Sequence, residues 1–279
     1  MSYEVELSEA EFDRFRGLIY REFGISLGDK KRTLVQSRLR KWLHEFKLNS
    51  YDELYERLTR PNNSEELILL ANAITTNVTS FFREEKQWIY LKDNFLNLVD
   101  QKNRKIRFWS AGCSSGQEPY TIMIFLMEHL KDFRSWNIKI LATDLSEEIL
   151  VKAMAGVYSA KELESMPKNF LMKYFDKISK NSTISYKVKD FLKEYITFRS
   201  FNLITGNYQI FSNQFDFIFC RNVMIYFDRE TQDNLIDKYL YLLKEDGLLF
   251  IGHSESIGER HKKGKTLLVS PSIYQKKGQ

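Results

Sequence analysis

Apolar positions recur at helical spacing through the first hundred residues and then change to short runs separated by amphipathic stretches. Phe12, Phe15, Leu18 and Ile19 share one helix face behind Ser8-Glu9-Ala10-Glu11, whose Ser and Glu have the spacing of a capping box. Gly24 is the expected stop. A second helix, from about Lys30 to Phe46, buries Val35, Leu39, Trp42, Leu43 and Phe46. A third starts in the capping box Ser50-Tyr51-Asp52-Glu53 and closes at Pro61. Ser64 is expected to cap a fourth through Leu67, Leu70 and Ile74, and a fifth runs from about Glu84 to Val99. The break between this all-α part and the rest is placed in the polar stretch 101–104, giving domains of 1–100 and 101–279.

From Lys105 short apolar runs alternate with helical patterns. Strands are predicted at Ile106–Ser110, Ile138–Thr143, Phe215–Cys220, Leu248–Gly252, Leu267–Val269 and Ile273–Gln275, with helices at Glu118–Leu130, Ser146–Met154 and Arg229–Leu243. That alternation predicts an α/β, Rossmann-like, mostly parallel sheet with helices on both faces. Ser270-Pro271-Ser272 is too short for a helical crossover, so the last two strands should form an antiparallel hairpin at the sheet edge. Lys161–Phe175 reads as helix, and Ser182–Val188 and Tyr195–Phe201 read as strands of a small α+β insertion at about 176–200.

Composition narrows the function classes only slightly. The 279 residues are 43% hydrophobic and 28% charged, as in a globular protein, with a net charge of +5. So mild a basicity permits an acidic partner without requiring nucleic acid. Cys113 and Cys220 each end an apolar run, which fits buried thiols in a reducing compartment. The four histidines have no metal-ligand spacing. There is no apolar leader and no run of the roughly 20 residues a membrane span needs, so a cytoplasmic location without membrane insertion is expected.

The candidate chemistry lies where predicted strands end. Lys105–Tyr120, KIRFWSAGCSSGQEPY, is a strand, a small-residue turn and a helix opening that Pro119 tolerates. A backbone so bare lets a ligand lie against it, and Gly112 is the candidate for closest approach. The turn offers Glu118 and no lysine, which suits a cationic or amino group better than a phosphate. Asp144, at the end of the second strand, could accept from a ribose or could cap the next helix. Arg221 and Asn222 follow the strand Phe215–Cys220, where they could meet a ligand, and an internal ion pair to a helix acid is the other reading of Arg221. Thr75–Glu84, a polar cluster before Phe81-Phe82-Arg83, reads by itself as capping. His253, in Gly252-His253-Ser254-Glu255, reads as part of a turn. The turn lacks G-x-G-x-x-G, against a dehydrogenase, and Asn222-Val223-Met224-Ile225 lacks the Pro-Pro-aromatic turn of amine methyltransferases. A cofactor-binding module without catalysis stays open as an alternative.

TTNVTSFFRE, WSAGCSSGQEPYTIMI, LATDLSEEIL, FDFIFCRNVMIYFD and GLLFIGHSESI occur in that order over nearly the whole chain. Together they resemble the chemotaxis-receptor glutamate methyltransferases, the CheR family. The resemblance implies S-adenosylmethionine as cofactor, S-adenosylhomocysteine as product, and methyl esters of glutamates on the cytoplasmic domains of chemotaxis receptors as the result. It implies that Asn77, Thr79 and Arg83 reach over the cofactor, Arg83 facing its carboxylate. Glu118 would serve the amino end or cationic centre, Asp144 the adenosine, and Asn202 and Leu203 the adenine. Arg221 and Asn222 would complete the pocket, and Tyr226 would border the transferring methyl group as the catalytic side chain. Basic residues of the second helix, Arg38 and Lys41 among them, would meet acidic receptor helices, with the enzyme a monomer. The region 176–186 lacks the glycine-rich loop with which some relatives dock on a receptor's C-terminal pentapeptide, so that tether does not carry over.

Overall fold

The structure, a computed structural model, describes residues 6–61, 63–75, 78–180, 183–259 and 264–278. Its contacts divide the chain into a unit of residues 1–77 with 226–231, and a unit of 78–225 with 232–279.

The first unit holds four helices, α1 (Glu9–Phe23), α2 (Arg32–Phe46), α3 (Tyr51–Leu58) and α4 (Ser64–Ile74). The capping box at Ser8 forms in full, and Gly24 ends α1 in the left-handed conformation. Ser50 caps α3 by accepting from the Glu53 N–H. Asn63, and not Ser64, occupies the capping position of α4. Of the expected core, Phe12, Phe15, Leu18, Ile19, Val35, Leu39, Trp42, Leu43, Leu70 and Ile74 are buried, whereas Phe46 and Leu67 are only half-buried; Leu54 joins the core as well. The segment 226–231 joins this unit through a bridge between Ile25 and Phe227.

The second unit begins with α5 (Glu85–Leu98), so the packing changes after residue 77 and not at the polar stretch 101–104. The physical reason is the aromatic face of α5, since Trp88 and Phe95 pack on rings of the sheet that follows. That sheet has seven strands in the order β6-β2-β1-β7-β8-β10-β9. They are β1 (Lys105–Ala111), β2 (Asn137–Asp144), β6 (Ile196–Ser200), β7 (Phe215–Cys220), β8 (Leu243–Ile251), β9 (Thr266–Ser270) and β10 (Ile273–Lys276). The pairs from β6 to β8 are parallel, and β10 pairs antiparallel with both β8 and β9, as the short final turn requires. Helices α6 (Gln117–His129), α7 (Glu147–Ala155) and α10 (Arg229–Leu242) lie between the strands in sequence.

The insertion differs from its expected form. A second sheet, β3-β5-β4, is built from β3 (Val157–Ser159), β4 (Phe175–Lys180) and β5 (Thr183–Val188). The helix expected over 161–175 is only α8 (Lys168–Tyr174) after a single 3-10 turn. Strand β6, expected inside the insertion, is the edge of the main sheet instead, with Ile196 paired to Ile140 and Ser200 to Asp144. Its inward residues Ile196 and Phe198 are buried in the main core, which explains the choice: an apolar alternation goes to the larger hydrophobic surface. A four-residue helix, α9 (Asp190–Lys193), precedes it.

One face of the sheet is a run of stacked rings. Phe108 of β1 stacks on Phe217 of β7 at 4.6 Å, Phe219 on Phe250 of β8 at 4.2 Å, and Trp88 on Phe219 at 5.6 Å. Neighbouring parallel strands in this register place like residues side by side, so each ring covers the next. Phe219→Ala removes a fully buried ring from the middle of that run, and should lower the unfolding free energy by about 3–5 kcal/mol in urea titration.

Candidate active site

The loops after β1, β2, β7 and β8 leave the carboxyl ends of adjacent parallel strands, where ligands of open α/β sheets bind. The turn after β1 is tied to the end of β2: the N–H groups of Gly112 and Cys113 both donate to the Thr143 carbonyl at 2.8 Å. Gly112 has φ of +91°, and a Cβ there would sit 2.4 Å from Val223 Cγ2. Only glycine supplies both the backbone angle and the room. The Ser114 N–H donates to Asp144 Oδ2 at 2.8 Å, and the Ser146 N–H donates to Oδ1 at 3.1 Å. Asp144 therefore organises two turns at once. Burial pushes its carboxyl above the usual range, against the pull of these N–H groups.

Glu118, in the first turn of α6, lies beneath this loop. Its Oε1 accepts from the Ser110 hydroxyl at 2.6 Å, and its Oε2 accepts from Arg221 Nε at 2.7 Å. Both side chains are more than nine-tenths buried. Arg221 also donates through Nη1 to the Arg83 carbonyl at 2.6 Å and to Gln87 Oε1 at 3.3 Å. The internal ion pair, one of the two readings open for Arg221, is thus what the structure shows. One guanidinium joins β1, α6, α5 and the end of β7.

The remaining expected site residues fall as follows. Thr79 is half-buried near the start of the second unit. The Arg83 guanidinium donates to the Val78 carbonyl at 2.6 Å, and the Arg83 carbonyl also accepts from Trp88 Nε1 at 2.9 Å. Asn202 accepts from the Ile204 and Thr205 N–H groups, forming a side-chain turn, and the carbonyl of buried Leu203 accepts from the Tyr208 hydroxyl. Asn222 follows Arg221 with φ of +59°. Asn77 lies outside the described residues. Tyr226 belongs by its contacts to the helical unit, where its carbonyl accepts from the Ser26 N–H at 2.8 Å and Lys31 Nζ stands 5.6 Å from its ring centre.

Three residues went unread in the sequence. Glu84, with φ of +63°, accepts through Oε1 from the His253 N–H at 2.9 Å, while the His253 ring is exposed. Gln87 is fully buried and donates to the Ile251 carbonyl at 2.7 Å. Glu255 accepts from the Gly252, Asn222 and Ile225 N–H groups. A signal was present for two of them: Glu84 follows Arg83 directly, and Glu255 sits two residues beyond His253 in the same motif.

The residues present fit an adenosylated amino-acid cofactor. Asp144 stands at the end of β2 with a carboxylate, while the room left at Gly112 is taken by Val223. Two buried acceptors, Glu84 Oε2 just before α5 and Asn222 Oδ1 after β7, have no hydrogen-bond partner among the described residues, and buried acceptors are ordinarily paired. Sheet order, antiparallel finish and loop chemistry define the class as that of S-adenosylmethionine-dependent methyltransferases. The model of the CheR methyltransferase SAM-binding domain matches residues 77–272, and that of the CheR all-alpha domain matches 10–75. The chemotaxis protein methyltransferase of Borreliella burgdorferi is 38% identical over 98% of this chain and 96% of its own. That of Salmonella typhimurium is 38% identical over 92% and 87%, and chemotaxis protein methyltransferase 2 of Pseudomonas aeruginosa is 38% identical over 91% and 89%. The chain belongs to the CheR methyltransferase family, with S-adenosylmethionine as its cofactor.

Removing one partner of a buried ion pair strands the other charge. Arg221→Met should therefore cost about 3–5 kcal/mol in urea unfolding, and adding Glu118→Gln should recover a substantial part of it. Additive losses would show that the two side chains do not act as a pair.

Proposed function

We propose that this chain transfers the methyl group of S-adenosylmethionine to glutamate side chains on the cytoplasmic domains of chemotaxis receptors. The products are glutamate methyl esters and S-adenosylhomocysteine, and the enzyme acts as a cytoplasmic monomer. The observation that carries the reading is the state of the acids around the site. Glu118 is taken up by Arg221 and Ser110, Asp144 and Glu255 by backbone N–H groups. These three acids supply fixed charge and shape and do not serve as free general bases. A glutamate acceptor, ionised at neutral pH, has no proton to lose. When bound, S-adenosylmethionine supplies a methyl already activated by a sulfonium, so transfer to a carboxylate oxygen leaves a neutral thioether and moves no proton.

The work left to the chain is to exclude water and to align the reacting atoms. In this reading Asn77, Thr79 and Arg83 cover the cofactor, with Arg83 at its carboxylate. Gly112 and Asp144 hold the adenosine, with Asn202 and Leu203 beside the adenine. Glu118, Arg221 and Asn222 form the wall nearest the amino end. Tyr226 positions the acceptor carboxylate. Arg38 and Lys41, three apart on α2 and both exposed, provide positive charge away from the buried stripe of Val35, Leu39, Trp42 and Leu43, suited to an acidic receptor helix.

Incubation with methyl-labelled S-adenosylmethionine and receptor cytoplasmic domains should place label on receptor glutamates, released as methanol by alkali. Cofactor binding with no transfer to any receptor would support a non-catalytic module instead. Reversing Arg38 and Lys41 to Glu should raise the KM for the receptor domain about tenfold, leaving affinity for S-adenosylhomocysteine unchanged. An unchanged receptor KM would remove α2 from the docking surface.

A further inference from the structure

Strands β7 and β8 pair in parallel with Cys220 opposite Ile251, so the loops that follow them leave the sheet side by side. Glu255 binds both. Its Oε2 accepts from the Gly252 N–H at 2.6 Å and the Asn222 N–H at 3.0 Å, and its Oε1 accepts from the Ile225 N–H at 3.1 Å. Its own N–H donates to the Gly252 carbonyl at 2.9 Å, which folds the side chain back over its turn. At Gly252 a Cβ would lie 2.8 Å from Glu255 Oε2 and 2.9 Å from the Asn222 nitrogens, so the carboxylate reaches the second loop across a position with no side chain.

The loop so held is unusual in itself. Asn222 is in the left-handed region, and its Oδ1 is buried without a partner. Among the described residues nothing binds that oxygen; the grip comes from the Asn222 and Ile225 backbone. Ile225 immediately precedes Tyr226 in the chain. A neutral amide could not replace the carboxylate. Whichever way a Gln is turned, its NH2 group faces at least one of the backbone donors now bound.

We propose that Glu255 is a positioning residue for methyl transfer, holding residues 222–225 so that Asn222 meets the cofactor and Tyr226 is delivered to the acceptor. This rests on the methyltransferase reading above. The side chain touches neither reactant and acts through the two residues it places. The withdrawal of a carboxyl group from water, which raises its pKa, is offset by the ordering of a loop at the site.

The test is Glu255→Gln in the full chain, with S-adenosylhomocysteine titrated by calorimetry and turnover measured on a receptor cytoplasmic domain. Affinity for S-adenosylhomocysteine should fall on the order of tenfold and kcat on the order of a hundredfold, the scale of a displaced reacting group, with the receptor KM unchanged. A purely structural role would lower the urea midpoint and leave kcat, KM and affinity of the folded fraction as in the parent. That outcome overturns the proposal. Glu255→Asp keeps the charge but withdraws the carboxylate by one methylene from the Asn222 and Ile225 N–H groups and should give the same signature, so it decides the matter if the Gln variant fails to fold. A parent protein that methylates no receptor would overturn the functional reading, while calorimetry would still report on Glu255.

Discussion

The buried pair of Arg221 and Glu118 is the interaction on which the sheet's functional edge depends. Two charges withdrawn from water are stable only if each is compensated, and here every partner is a piece of a different element. Ser110 of β1 and Arg221 share the carboxylate; the carbonyl of Arg83 and the side-chain oxygen of Gln87 accept from the guanidinium's Nη1. Glu84 Oε2 stands a further 3.8 Å from the same guanidinium. A shift of any one element leaves a desolvated charge exposed to an apolar core. The pair therefore sets the spacing between the first turn of α6 and the end of β7.

The same logic explains why Asp144 and Glu255 are not free to act as bases. Asp144 and Glu255 each accept from N–H groups on two loops, so their charge is spent on backbone geometry. The two cysteines follow suit: burial raises both thiols well above their ordinary value and keeps them inert. A site of this kind suits a reaction whose electrophile and nucleophile arrive already charged. Preorganisation is then what the protein contributes.

Much of this was legible in the sequence, and the failures have a common cause. The helices of the first unit followed from period and caps, and the antiparallel finish followed from a turn too short to cross over. Residues 195–201 were read correctly as a strand and assigned to the wrong sheet, because alternation gives the inward face but not the surface it packs on. Helix α5 was assigned to the helical part for the same reason: Trp88 and Phe95 declare an apolar face and do not name its partner. Strand ends and turns pointed to Gly112, Asp144, Arg221 and Asn222, which lie at the ends of β1, β2 and β7 or in the loops after them. What the sequence could not show was that Arg221 reaches back to Glu118, a pairing across 103 positions. Glu255 was hidden differently. Its partners are backbone N–H groups, which carry no side-chain signature.

The distribution of left-handed residues shows where the fold accepts strain. Phe82, Glu84, Gly112, Ser114, Gly116 and Asn222 have positive φ and lie in the segment entering α5 or in the loops after β1 and β7, while Lys47, Arg104, Asp132, Asp246 and Ser272 have it in turns elsewhere. Each of the non-glycine members costs on the order of 1–3 kcal/mol unless its surroundings impose it. Those surroundings are identifiable: the Phe82 N–H donates to Thr121 Oγ1 and its ring packs edge-on to Trp88, the His253 N–H holds Glu84, and Glu255 holds Asn222. The loops are therefore ordered by specific contacts to other elements and not by their own preferences. That arrangement makes a loop's conformation sensitive to one distant contact.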